Sequence, residues 1–236
     1  MSAGKILLWI IIPYVSFAVF VVGHWWRYHR DQFRWTSRST QLLDRRVLGW
    51  ASPMFHYGAL AAVGGHLIGL CIPQSWTAAV GIHEETYRWI AAIAGGIAGG
   101  VSLIGFAGLV FRRIRSDRVR QSTTRLDIFT YGVLTAMIGI GCWMTFGHNL
   151  ATTAPYNYRD SIGVWWRSLF YLQPNVGAIS GAPIVYQVHA ILAWFFWAAF
   201  PFTRLVHAWS IPLQYIGRPY ILYRRRYATP VRQPLQ

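Results

Sequence analysis

The run at residues 184–216, IVYQVHAILAWFFWAAFPFTRLVHAWSIPLQYI, is long and apolar enough to cross a bilayer. It carries His189 and His207, and an imidazole at membrane depth has to be partnered. A second apolar run, residues 50–72, carries His56 and His66. Two spans with two histidines each suggest two metal centres, each held by one histidine from each helix. In lipid the natural candidate is b-type haem, its iron tied by an imidazole on either face.

The rest of the chain supports a membrane setting. Only 12% of the 236 residues are charged, against about 25% in globular chains. The net charge of +15 raises nucleic acid as a partner. The arginines, however, fall between apolar runs and form no continuous patch, so nucleic acid is set aside and membrane lipid is the expected surroundings. Cys71 and Cys142 each lie inside an apolar run with no CxxC, which argues against zinc or iron–sulfur ligation.

These features predict an all-α fold, a single transmembrane domain of five helices at about residues 6–23, 50–72, 89–111, 126–147 and 184–208, with a basic tail at 209–236. The first run is longer than a signal peptide core and ends in bulky HWWRYHR, so it reads as a retained helix. Pro13 is expected to bend it, with neighbours satisfying the freed carbonyl. Pro53 is expected near the start of the second helix, where a missing N–H costs little. Gly95/Gly99 and Gly96/Gly100 have small-xxx-small spacing, which suits close approach by another helix. Residues 161–172 suggest a short helix along the membrane surface.

Charge sets the orientation. The connections after the first and third spans carry six Lys or Arg each and the tail five, against four on the other side. The positive-inside rule then puts the N-terminus outside and the C-terminus in the cytoplasm. Depth follows: His56 and His207 lie toward the inner face, His66 and His189 toward the outer, and no other antiparallel pairing is level. Ten residues separate His56 from His66 by about 15 Å, whereas eighteen separate His189 from His207 by about 27 Å. Tilt, a bend at Pro201 or side chains angled along the axis must absorb the difference. Five whole helical turns would place His189 and His207 on one face.

Gly58, Gly64, Gly65 and Gly69 are candidates to leave room for a flat macrocycle. Arg112, Arg113, Arg204 and Arg45 are candidates to hold haem propionates at the inner face. His24, His29, His83 and His148 sit at span ends, where interfacial histidine is the simpler reading. Two axial imidazoles leave no open position on iron, so such centres pass electrons.

QLLDRR at 41–46, FHYG with GGH around His56 and His66, RVRQSTTRLDI at 118–128, and VHAILAW through PFTRLVHAWSIPLQYI give the chain a resemblance over nearly its whole length. It resembles the gamma subunit of respiratory membrane-bound nitrate reductase, a di-haem cytochrome b. The resemblance implies that His56 and His207 bind the inner haem b iron and His66 and His189 the outer. It implies quinol oxidation (menaquinol or ubiquinol) near the outer haem, proton release outside, and electron transfer to an iron–sulfur beta subunit and a molybdenum-containing alpha subunit in the cytoplasm. It implies a bacterial cytoplasmic membrane location. The family typically has a quinol-assisting lysine after the second span; Tyr87 and Arg88 stand there instead. Arginine keeps the charge but does not yield a proton. Gly65, His66, Tyr87 and Arg88 are expected to line the quinol site. Other readings are the cytochrome b subunit of another respiratory oxidoreductase, a haem-free proton or ion transporter, and a passive membrane anchor.

Overall fold

The computed structural model describes residues 2–31, 35–36, 39–152 and 155–209. Among the described residues there is no strand. Five helices are long and apolar enough to cross a membrane: Ala3–Arg30, Leu48–Cys71, Glu84–Arg115, Arg125–Leu150 and Ile184–Phe202. The residues expected as a basic tail lie, beyond Trp209, outside the described residues.

The first, third and fourth helices outlast the apolar runs that announced them, because polar residues continue the helix past the lipid-compatible stretch. The third begins on Glu84 and Glu85 and ends on Arg112, Arg113 and Arg115, each sign complementing the helix dipole at its own end. The fourth begins with a reciprocal cap between Thr124 and Asp127, which satisfies two otherwise orphaned donors. Its C-terminal end loosens into a π-turn, Phe146–Leu150. Pro53 lies inside the second helix, not in its first turn, because that helix already starts at Leu48.

In the first helix a π-turn, Leu7–Ile11, precedes Pro13. Pro13 has no N–H for the carbonyl of Trp9, and the indole of Trp165 donates to that oxygen at 3.0 Å. The freed carbonyl is thus satisfied by a neighbour, as the sequence suggested. Trp165 belongs to the short helix Ile162–Phe170, which buries Ile162, Trp165 and Leu169 on one face. That face joins Trp9 and Trp194 in the main apolar core, between the first and fifth helices.

The second and third helices touch backbone to backbone. A Cβ built on Gly58 falls 2.5 Å from the Ser102 amide nitrogen, one on Gly108 falls 2.7 Å from the Trp50 ring, and one on Gly105 overlaps the Phe55 amide. The anticipated glycine pairs divide differently. Gly96 and Gly99 face Phe146 and Cys142 of the fourth helix at 3.4 and 3.2 Å, while Gly95 and Gly100 meet nothing within 4 Å.

The fifth span is not one helix over 184–208. Its α-helix is Ile184–Ala199, followed by a 3-10 turn Phe200–Phe202, an extended Thr203 (φ −100°, ψ 176°) and a second 3-10 turn Arg204–Trp209. Pro201 lacks the N–H needed to continue the α pattern. The shared-face argument from five whole turns is therefore replaced by a break between His189 and His207.

Candidate haem-ligand pairs and the outer polar cluster

His56 and His66 project from the second helix, about 80° apart around its axis. Each donates its Nδ1–H to the carbonyl four residues back: Ser52 for His56 and Ala62 for His66, both at 2.7 Å. His207 donates Nδ1–H to the Arg204 carbonyl at 2.6 Å. A carbonyl only accepts, so these bonds place the proton on Nδ1 and leave Nε2 as a bare electron pair, the arrangement of an oriented metal ligand. Nδ1 of His189 is buried with no hydrogen-bond partner among the described residues.

The four rings meet in two pairs. His56 and His207 lie with centroids 6.0 Å apart and planes 71° from parallel. His66 and His189 lie 6.2 Å apart with planes 24° from parallel. These are the pairs that depth predicted. A metal between two opposed imidazoles, each nitrogen about 2.0–2.1 Å away, spaces ring centroids by roughly 6.3 Å. Each pair therefore fits one ion.

Among the described residues no three His, Cys, Asp or Glu gather to hold a metal. Each pair offers two ligands, and further donors in the plane between them are what a macrocycle supplies. A Cβ built at Gly64 or Gly65 meets nothing within 4 Å, so room exists beside His66 for a flat group. Gly58 and Gly69 serve other ends. Gly58 admits the third helix, and a Cβ on Gly69 overlaps the Tyr158 hydroxyl.

The arginines suggested for propionates have protein partners. Arg112, 4% exposed, donates to the Thr40 hydroxyl and to the Thr40 and Asp44 carbonyls at 2.6–3.1 Å, clasping the connection before the second helix. Arg113 donates to the Thr123 hydroxyl at 2.7 Å and lies 4.0 Å from Asp127. Arg204 lies 3.4 Å from Asp127, and Arg45 is exposed. Of the four, Arg204 is the one joined to the His207 turn.

Tyr87 and Arg88 are neighbours in sequence with different surroundings. Arg88 donates to the Asn149 carbonyl at 3.4 Å and covers the Trp89 ring. Tyr87 is buried beneath the Arg159 guanidinium, 3.7 Å from its ring centre. Arg159 is fully buried and pairs with Glu84 at 3.2 Å while donating to the Thr77 hydroxyl at 3.0 Å. Burial, more than its hydrogen bond with Tyr87, pushes the Tyr158 phenol above its ordinary range. Sequence reasoning missed this cluster. The available signal was Arg159 itself, a rare charge in a long aromatic connection. It also missed Asp127, although the TTRLD cap pattern was visible.

Comparison with known proteins gives a consistent picture. A family model described as nitrate reductase gamma subunit matches residues 5–226. The nitrate reductase-like protein NarX of Mycobacterium tuberculosis is 46% identical over 220 residues, covering 93% of this chain but 34% of that protein, so the chain spans about a third of its length. The nitrate reductase gamma chain of Bacillus subtilis is 36% identical over 220 residues, covering 93% of this chain and 98% of the relative. The respiratory nitrate reductase 1 gamma chain of Escherichia coli is 33% identical over 218 residues, covering 92% and 96%. A chain with five candidate spans, matched by the family model over residues 5–226 and by the Bacillus subtilis gamma chain over 93% of its length, belongs to the nitrate reductase gamma subunit family.

Proposed function

We propose that this chain is the di-haem cytochrome b subunit of a respiratory nitrate reductase, oxidising membrane quinol, menaquinol or ubiquinol, near the outer face of a bacterial cytoplasmic membrane. Electrons leave through the inner side to an iron–sulfur beta subunit and a molybdenum-containing alpha subunit, and the quinol protons leave outside. The Lys and Arg distribution supports an external N-terminus and a cytoplasmic C-terminus. The observation that carries the reading is the pair of opposed imidazole sets, 6.0 and 6.2 Å between centroids, three of the rings on helices long enough to span lipid and His207 on the turn that follows the fifth.

Bound between the rings, two haems b would supply one-electron transfer. The chain's own groups do the rest. His56 and His207 hold the inner iron, and His66 and His189 the outer. Nδ1–H bonds to backbone carbonyls fix three of the four rings and raise their basicity. Arg204 is the best placed of the propionate candidates, being joined to the His207 turn. Arg113 shares Asp127 with it, Arg112 anchors a connection, and Arg45 is free to swing in from solvent. Gly65 and His66 form the quinol-facing wall. Arg88 supplies positive charge there, and Tyr87 acts from behind it, under Arg159.

A reduced-minus-oxidised spectrum of the purified chain tests this. Two haems b per chain, reduced on adding quinol, are expected. A flat spectrum overturns the reading and leaves a haem-free membrane role.

A further inference from the structure

His207 is not carried by the α-helix that carries His189. Between them the chain leaves the helix at Ala199, turns through Phe200–Phe202, extends at Thr203 and turns again over Arg204–Trp209. A ligand on such a passage keeps its place only if the passage itself is held.

Two side chains from other helices hold it. Arg27 of the first helix is 6% exposed. Its Nη1 donates to the Pro201 carbonyl at 2.7 Å and to the Thr203 carbonyl at 3.5 Å, while Nη2 lies 3.3 Å from Asp31. These carbonyls sit where the helix ladder has stopped and backbone acceptors go unmet. Gly23, one turn before Arg27, makes the approach feasible: a Cβ there falls 2.9 Å from the Pro201 ring. On the far side of Thr203, Arg204 lies 3.4 Å from Asp127 Oδ1. Asp127 is itself fixed, its Oδ2 accepting the Thr124 amide and hydroxyl at 3.0 Å each. The Arg204 carbonyl then takes the His207 Nδ1–H.

We propose that Arg27 and Asp127 are positioning residues for His207. Arg27 fixes the chain before Thr203, Asp127 fixes it after through Arg204, and His207 hangs from the second anchor by its own ring proton. This deepens the di-haem reading and rests on it: the inner site draws on four of the five spans, whereas the outer ligands stand on two unbroken helical segments.

Arg27→Lys and Asp127→Asn, made in the full chain in membranes, test this. Lysine keeps the charge but has no rigid fork to serve two carbonyls and a carboxylate together. Asparagine keeps the shape and loses the ion pair. In both variants the ferric low-spin signal and midpoint potential of the inner haem are expected to shift while those of the outer haem stay put. Amide exchange over residues 203–209 is expected to run roughly tenfold faster or more, as follows from losing a charge-assisted hydrogen bond. Unchanged inner signal and exchange in both variants overturn the proposal. Equal shifts of both haems, or failure of both variants to assemble, overturn it in favour of general packing. A parent chain without haem sinks the di-haem reading instead, while the exchange rates still report on the two anchors.

Discussion

His66 and His189 face each other with ring planes 24° from parallel, whereas the His56–His207 planes stand 71° apart. Second-shell hydrogen bonding is among the protein's levers on a haem, and His189 alone of the four lacks an Nδ1 partner among the described residues, so under the di-haem proposal two non-equivalent low-spin ferric signals are expected from one chain. His66→Ala or His189→Ala is expected to remove one of them and lower haem content from two per chain to one. Electron paramagnetic resonance with haem quantitation checks this, and unchanged content in both variants contradicts it.

Arg88, at the start of the third helix, reaches the Asn149 carbonyl at the end of the fourth. Arg88→Ala is expected to slow quinol-dependent haem reduction and raise the quinol concentration needed, with haem content unchanged. Stopped-flow reduction reads both. Identical kinetics in the variant remove Arg88 from the quinol site.

Gly69 and Gly64 lie on the same helix in opposite circumstances. Gly69→Ala drives a methyl into Tyr158 and is expected to cost about 1–3 kcal/mol, the usual range for overpacking. Gly64→Ala meets no polypeptide atom within 4 Å and is expected to leave the stability of the protein scaffold unlowered. Thermal unfolding of both in detergent makes the comparison; equal losses would contradict it.

Arg159 is a buried cation whose carboxylate partner is Glu84. Removing one member of such a pair typically costs about 3–5 kcal/mol, more than replacing both. Glu84→Gln and Arg159→Met are each expected to destabilise, and the double variant is expected to lose less than the two single losses added. A double-mutant cycle in mixed-micelle unfolding measures this, and simple additivity would show the pair to be uncoupled.

What the sequence disclosed and what it withheld divide along physical lines. The histidine pairing was legible because apolar runs fix the helices and their alternation makes the second and fifth antiparallel, leaving one level match. Pro13 and its freed carbonyl were legible for the same local reason, although the donor, Trp165, was not. The break after Ala199 was only half visible. Pro201 announced a bend, but the extended Thr203 depends on Arg27, 176 residues away. Gly58, Gly64, Gly65 and Gly69 look alike in a string of letters. Only packing separates those that admit a helix or a tyrosine from those that face open space. Arg159 stood out as a charge in an aromatic connection, but its cluster did not, because Glu84 and Thr77, its partners, come from distant parts of the chain.

The break in the fifth span has a consequence for the distance between the two centres. His56 and His66 ride on a continuous rod, the helix Leu48–Cys71, which sets their separation at about 15 Å. The opposing arm is jointed at Thr203. Under the di-haem proposal, substitutions along that arm would re-aim a ligand while leaving the spacing of the two sites to the other side, where the gauge is cut.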